Sequence, residues 1–219
     1  MSKMHDLLKP YKNILQNDGY SFKNSLFYKI ENDIAFCFSF SNISLIYCDY
    51  YFIPLYIPTP HRYLTYGNRL EILTGRAVRP CYPGNNFDDW MRSVNKVIDN
   101  EIIPFFDKIS SPDKLLKLIY REDPAYDRFI AYSLCDKGIL CIYTNLYLGR
   151  YRDANIIFSD LYDYLQHNND DLWTNTQLKK LDEIQANLLQ RNEEDISEYL
   201  KASVISTAKA CGFAYKICQ

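Results

Sequence analysis

A chain of 219 residues, 47% of them hydrophobic, carries enough apolar material to bury a core as one domain or two small ones, which excludes a disordered protein. A net charge of −2 argues against bulk nucleic acid or an anionic membrane as the partner. No apolar run approaches the length of a membrane span and no secretory leader opens the chain, so a soluble, cytoplasmic protein is expected. The seven cysteines are an odd number without a Cys-x-x-Cys pair, which fits reduced, buried thiols better than a disulfide framework.

Met4, Leu7, Leu8, Tyr11, Ile14 and Leu15 recur at spacings of three and four, which predicts a helix with a kink at Pro10 and a stop at Gly19. Tyr20–Ile30 alternates and leads through Glu31-Asn32-Asp33 into the densest run of β-formers, Ile34–Pro58. In that run Ile34, Phe36, Phe38 and Phe40 share one face, and Ala35, Cys37, Ser39 and Ser41 the other, as in a half-buried strand. Tyr50–Ile57 is a further strand, placed at an edge or on a bulge because Pro54 has no N–H for a ladder. A fourth strand is expected near Tyr66–Leu73.

Asn86 caps a long helix, Phe87–Lys108, whose apolar stripe includes Trp90, Val94, Ile98, Ile102 and Phe106, with Pro104 bending its last turn. Ser111-Pro112-Asp113 starts a short helix. Beyond it only helical periodicity continues: Ala125–Leu148, with Gly138 as a possible break, then Tyr151–His167, Thr174–Gln190 and Glu193–Cys211. The fold class is therefore α+β. Residues 1–110 form an N-terminal helix with a four-stranded antiparallel sheet, and residues 111–219 form an all-helical hairpin bundle packed on it.

Leu8-Lys9-Pro10, then Gly19-Tyr20-x-Phe22-Lys23 and Leu26-Phe27-Tyr28, resemble the opening of a bacterial family filed as domain of unknown function 4304. Glu101–Ile109 resembles that family's helix ending in a Pro-aromatic pair. The resemblance covers the first half and implies the helix and antiparallel sheet. It brings no activity. Leu148-Gly149-Arg150-Tyr151-Arg152-Asp153-Ala154 resembles one corner of a tetratricopeptide helix pair, without a second copy.

No catalytic motif, phosphate loop or metal spacing is present, and His5, His61 and His167 share no short spacing with one another or with a cysteine. No metal or cofactor is expected. The acidic clusters Asp88-Asp89 and Glu193-Glu194-Asp195 sit at helix starts, where the helix dipole accounts for them, and Asp170-Asp171 lies in an Asn-Asp-rich linker that reads as a solvated loop. What remains is a basic, aromatic segment with Arg62, Arg69, Arg76 and Arg79 against the single acid Glu71, and with Tyr63, Tyr66 and Tyr82 interleaved or adjacent. Arg and Tyr are the types favoured at interface hot spots. The ordinary alternative pairs these arginines with acids of the helical half, such as Asp160 or Glu183. The functional expectation is a non-enzymatic module of adaptor or immunity type, binding a protein through Arg62, Tyr63, Tyr66, Arg69, Arg76, Arg79 and Tyr82. The competing expectation is a small enzyme or ligand binder holding an anion between sheet and helical half, and nucleic acid is the weakest reading.

Overall fold

The computed structural model describes residues 3–12, 15, 18–60, 66–82, 85–120, 128–130, 133–168 and 172–215. The chain divides into two compact units. One comprises Met1–Pro54 and Arg62–Ala131, the other Leu55–His61 and Tyr132–Gln219.

The first unit is built on a five-stranded antiparallel meander in the order β1 (Ser21–Lys23), β2 (Leu26–Glu31), β3 (Ile34–Asn42), β4 (Ile46–Pro54) and β5 (Tyr66–Arg69). The α+β class stands, with one strand more than the sequence suggested. Asn24 and Ser25 both adopt left-handed backbone (φ 52° and 64°), as do Asn32 and Asp33 (φ 47° and 62°). Each pair makes a two-residue hairpin turn whose twist matches its strands. The first of them splits the predicted Tyr20–Ile30 strand into β1 and β2.

Register places Phe36 opposite Phe52, Phe38 opposite Tyr50 and Phe27 opposite Phe38, so one face is a continuous aromatic layer. Three elements lie against it. Helix α1 (Lys3–Leu8) stacks His5 on Phe22 at 5.2 Å, with a 3₁₀ turn at Lys9–Tyr11 where Pro10 ends regular helix. A long rod begins as α3 (Phe87–Val97), widens into a π-helical turn at Ile98–Ile102 and ends as α4 (Ile103–Lys108). The widening has a covalent cause, because Pro104 has no N–H to return to the Asn100 carbonyl. From α4 the Phe106 ring reaches Phe36 (4.8 Å), Phe38 (5.5 Å) and Tyr50 (6.5 Å), contacts worth about 0.5–1.5 kcal/mol each beyond their buried area. Tyr50, fully buried, donates its hydroxyl to the Phe129 carbonyl at 2.9 Å.

The opposite face is not the open, polar one that alternation implied. Ala35 and Cys37 are completely buried, and their row partners Tyr28 and Tyr51 nearly so. β4 is likewise no edge strand, since it pairs with β3 along its length and with β5 over Asp49–Phe52. Pro54 is tolerated because it is the last paired residue, beyond the point where β5 covers the other side. β5 comes so close that a Cβ on Gly67 would lie 2.1 Å from the Tyr50 carbonyl oxygen, so only glycine fits. β5 also stops at Arg69. Leu70–Leu73, read from the sequence as more strand, is a helical turn, α2. Helix α5 (Pro112–Tyr120) completes this unit, with Leu115, Leu116 and Ile119 buried.

The second unit holds α6 (Leu134–Tyr147), α7 (Tyr151–His167), α8 (Leu172–Ile184, continued by a π-helical turn at Gln185–Leu189) and α9 (Glu193–Cys211). α6 starts nine residues later than the periodicity predicted, because Ser133 and Asp136 form a capping box there. Gly138 does not break it. A Cβ at that position would lie 2.6 Å from a Leu161 methyl, so glycine there lets α7 approach. Between α6 and α7, Gly149 takes φ +71° while the Arg150 N–H bonds the Asn145 carbonyl at 2.8 Å, the left-handed closure that turns the chain into an antiparallel hairpin. Cys135, Ile142, Phe158, Leu181, Leu188 and Leu200 bring all four helices into one core.

The seven residues Leu55–His61, lying between β4 and β5 in sequence, belong to this helical unit. Leu55 and Tyr56 are fully buried. Tyr56 stacks on Tyr147 at 4.4 Å and its hydroxyl meets Thr144 Oγ1 at 3.0 Å. The Thr144 hydroxyl already donates to the Leu140 carbonyl, so Tyr56 is the donor. Thr207 holds the segment's far end, donating to the Ile57 carbonyl (3.2 Å) and accepting from the Thr59 N–H (3.4 Å). The division into 1–110 and 111–219 read from composition therefore differs from the observed units twice: α5 falls in the first unit, and a strap from the sheet region falls in the second.

Candidate functional site

The basic, aromatic segment folds as one excursion from the edge of β4. It leaves after β5, whose Arg69 lies opposite Asp49, and it returns at Cys81, which exchanges both backbone hydrogen bonds with Ile46 (2.9 and 3.0 Å). Between them Thr74 ties the loop to itself, its hydroxyl donating to the Leu70 carbonyl and accepting from the Val78 N–H. Trp90 of α3 clamps the returning limb by donating its indole N–H to the Arg79 carbonyl at 2.8 Å, while its ring meets Phe40 edge-on.

This closure gathers some of the candidate residues and disperses others. Arg62 and Tyr63 lie outside the described residues. Tyr66 is buried and stacked on Phe52 at 5.4 Å, a sheet residue and no part of a surface. Arg69 and Arg79 line a common dimple of about 10 Å³ with Tyr47 and Trp90. Arg79 and Trp90 also line an adjoining groove of about 520 Å³ with Tyr82, Asn86 and Asp89. Arg76 is exposed and lines neither, and it occupies left-handed backbone at φ +69°, where glycine would cost about 1 kcal/mol less.

Arg69 is held from two sides. Its Nε lies 3.5 Å from Asp49 Oδ1, and its guanidinium sits 4.7 Å above the Tyr47 ring. Tyr47 and Asp49 are two apart on β4 and so share a face, which makes them a ready bed for a cation. The arginine side chain remains 42% exposed against 15% for Asp49. Burial pushes the Asp49 carboxyl above the usual carboxylate range, Arg69 opposes this, and Glu71 adds to it. Of the other acids nearby, Asp89 is paired with Arg92 and Asp88 accepts from the Tyr11 hydroxyl. Among the described residues neither Arg76 nor Arg79 takes part in an ion pair.

Tyr47, Asp49 and Trp90 belong to this surface and were not part of the cluster read from the sequence. Trp90 showed there only as a member of an apolar stripe, and the period-two pair Tyr47 and Asp49 was masked by apolar residues on both faces of the surrounding run. No group of three or more His, Cys, Asp or Glu side chains among the described residues could hold a metal ion, and no helix among them is long and apolar enough to cross a membrane. Among the described residues the surface presents rings and guanidinium groups. No family model, no curated protein and no solved structure matches the chain, so its chemistry is argued from these residues alone.

Proposed function

We propose that this chain is a non-enzymatic protein-interaction module of adaptor or immunity type, working in the cytoplasm, and that it binds its partner through the surface formed by Arg69, Arg79, Tyr82 and Trp90. The observation that carries the reading is the state of the arginines. Arg69 is immobilised by Asp49 and Tyr47 with much of its side chain in water, and Arg79 stands exposed beside the exposed Tyr82 without an ion-pair partner among the described residues. A solvated arginine held in place costs entropy and contributes little to stability, whereas at an interface it saves the ordering cost of binding. The six described cysteines are buried thiols, which suits a reducing compartment. The resemblance of the first half to domain of unknown function 4304 adds no chemistry to this reading.

The test is affinity capture of the tagged chain from a lysate of the organism that encodes it, with and without nuclease, repeated with Arg79→Ala/Tyr82→Ala. The reading requires a protein that survives nuclease and is lost from the double variant. Identical captures by both chains, or loss on nuclease treatment, would refute it.

A further inference from the structure

We infer that the surface takes an acidic peptide: an extended stretch of the partner that sets carboxylates on Arg69 and Arg79 and an aromatic or proline ring against Trp90 and Tyr82. The inference rests on the proposed function and names the chemistry of the partner.

Charge comes first. The dimple and the groove share Val78, Arg79, Pro80 and Trp90, so they form one continuous surface. Its lining cations are Arg69 and Arg79, and its lining acids are Glu71 and Asp89. Asp89 is neutralised by Arg92, and Glu71 lies beyond ion-pair distance of both lining arginines. Arg79 is thus the lining cation left to meet a partner's charge, and Arg69 offers the guanidinium edge that Asp49 does not engage. A planar guanidinium fork matches a carboxylate with two parallel hydrogen bonds.

Size comes next. The dimple, at about 10 Å³, holds no more than one water-sized group. A single oxygen of a bound anion is the most that enters such a space, so the rest of the group stays outside on the guanidinium edges. The adjoining groove, at about 520 Å³, is large enough for ring side chains. In its walls the Trp90 indole N–H is spent on the Arg79 carbonyl, and the Asn86 Oδ1 is spent accepting from the Asp88 and Asp89 N–H groups. Ring faces beside a free guanidinium select aromatic or proline contacts next to negative charge.

The test is selection of a random dodecapeptide display library on the immobilised full chain, followed by anisotropy titration of a fluorescein-labelled consensus peptide. The expected consensus carries Asp or Glu within a few residues of Phe, Tyr, Trp or Pro. Its affinity should fall at least about tenfold with Arg79→Ala, or when its acids become Asn or Gln, and less with Arg79→Lys, at unchanged melting temperature because Arg79 is exposed. Absence of a consensus, a consensus without acids, binding indifferent to both Arg79→Ala and Arg69→Ala, or tighter binding of a twelve-residue oligothymidylate would each overturn the inference. A partner captured through Arg79 and Tyr82 without an acidic consensus would keep the surface and discard this chemistry. Failure of both experiments would remove the surface as well.

Discussion

Asp49 sits between two demands. Its carboxylate steadies Arg69, yet Oδ1 is buried without a hydrogen bond and the nearest guanidinium nitrogen is 3.5 Å away. Burial raises its pKa, Arg69 pulls against this and Glu71 reinforces it, leaving the folded value above the ordinary one. A raised carboxyl pKa means that the folded state holds the proton more tightly than the unfolded state. The stability it contributes is fully present below the unfolded value, about 4, and is lost as pH rises through the folded value. Above that point the ionised carboxylate is a net cost of folding. Asp49→Asn removes the cost while keeping the shape. The variant should melt higher than the parent at pH 7, with the gap closing by pH 4 in thermal scans followed by circular dichroism. A variant that melts lower at pH 7 would mean that the ion pair outweighs burial. Arg76 raises the same question of residue-level cost, since its left-handed backbone, whose N–H bonds the Glu71 carbonyl at 2.7 Å, carries a side chain without an ion-pair partner among the described residues.

At the scale of elements, legibility followed the local signals. Glu193–Cys211 is legible to the residue because Asn192 caps its start and Gly212, at φ +74°, closes its end. The hairpin turn at Asn32-Asp33 was visible from its residue types, whereas Asn24-Ser25, lacking glycine, hid inside an alternating run. Leu70–Leu73 was misread because a four-residue helical turn has too few positions to show its period. For the candidate surface, composition located Arg69, Arg79 and Tyr82, but register and loop closure decided that Tyr66 turns inward and that Trp90 joins them. The strap Leu55–His61 was the least legible element, since its anchors stand roughly 90 and 150 positions away in sequence. Thr207 serves it through one hydroxyl that is both donor and acceptor. Thr207→Val keeps the volume and leaves the Thr59 N–H unpaired, while the Ile57 carbonyl keeps the bond it accepts from the Thr59 hydroxyl at 3.1 Å, at an expected cost of about 1–3 kcal/mol in urea unfolding. A change under about 0.5 kcal/mol would mean that water replaces both bonds.

For the whole molecule, the strap makes the second unit discontinuous. A chain cut at the compositional junction, residues 111–219, would carry α5 with Leu115, Leu116 and Ile119 stripped of the first unit's core, and it would lack Leu55 and Tyr56. A cut at 132–219 corrects the first fault and not the second. Two completely buried side chains contribute roughly 3–6 kcal/mol by apolar burial alone, a sum comparable with the whole stability of a small domain, about 5–15 kcal/mol. The 132–219 fragment should therefore keep far-ultraviolet helical signal but lose near-ultraviolet structure and bind a hydrophobic dye, as a collapsed chain without fixed packing does. Joining residues 55–61 ahead of Tyr132 through a flexible linker should restore a cooperative melt, and carrying Tyr56→Ala in that fusion should abolish the gain. If the bare fragment melts as sharply as the fusion, the strap is only laid on a core that the four helices complete by themselves, and the two units exchange no part of their folding information through it.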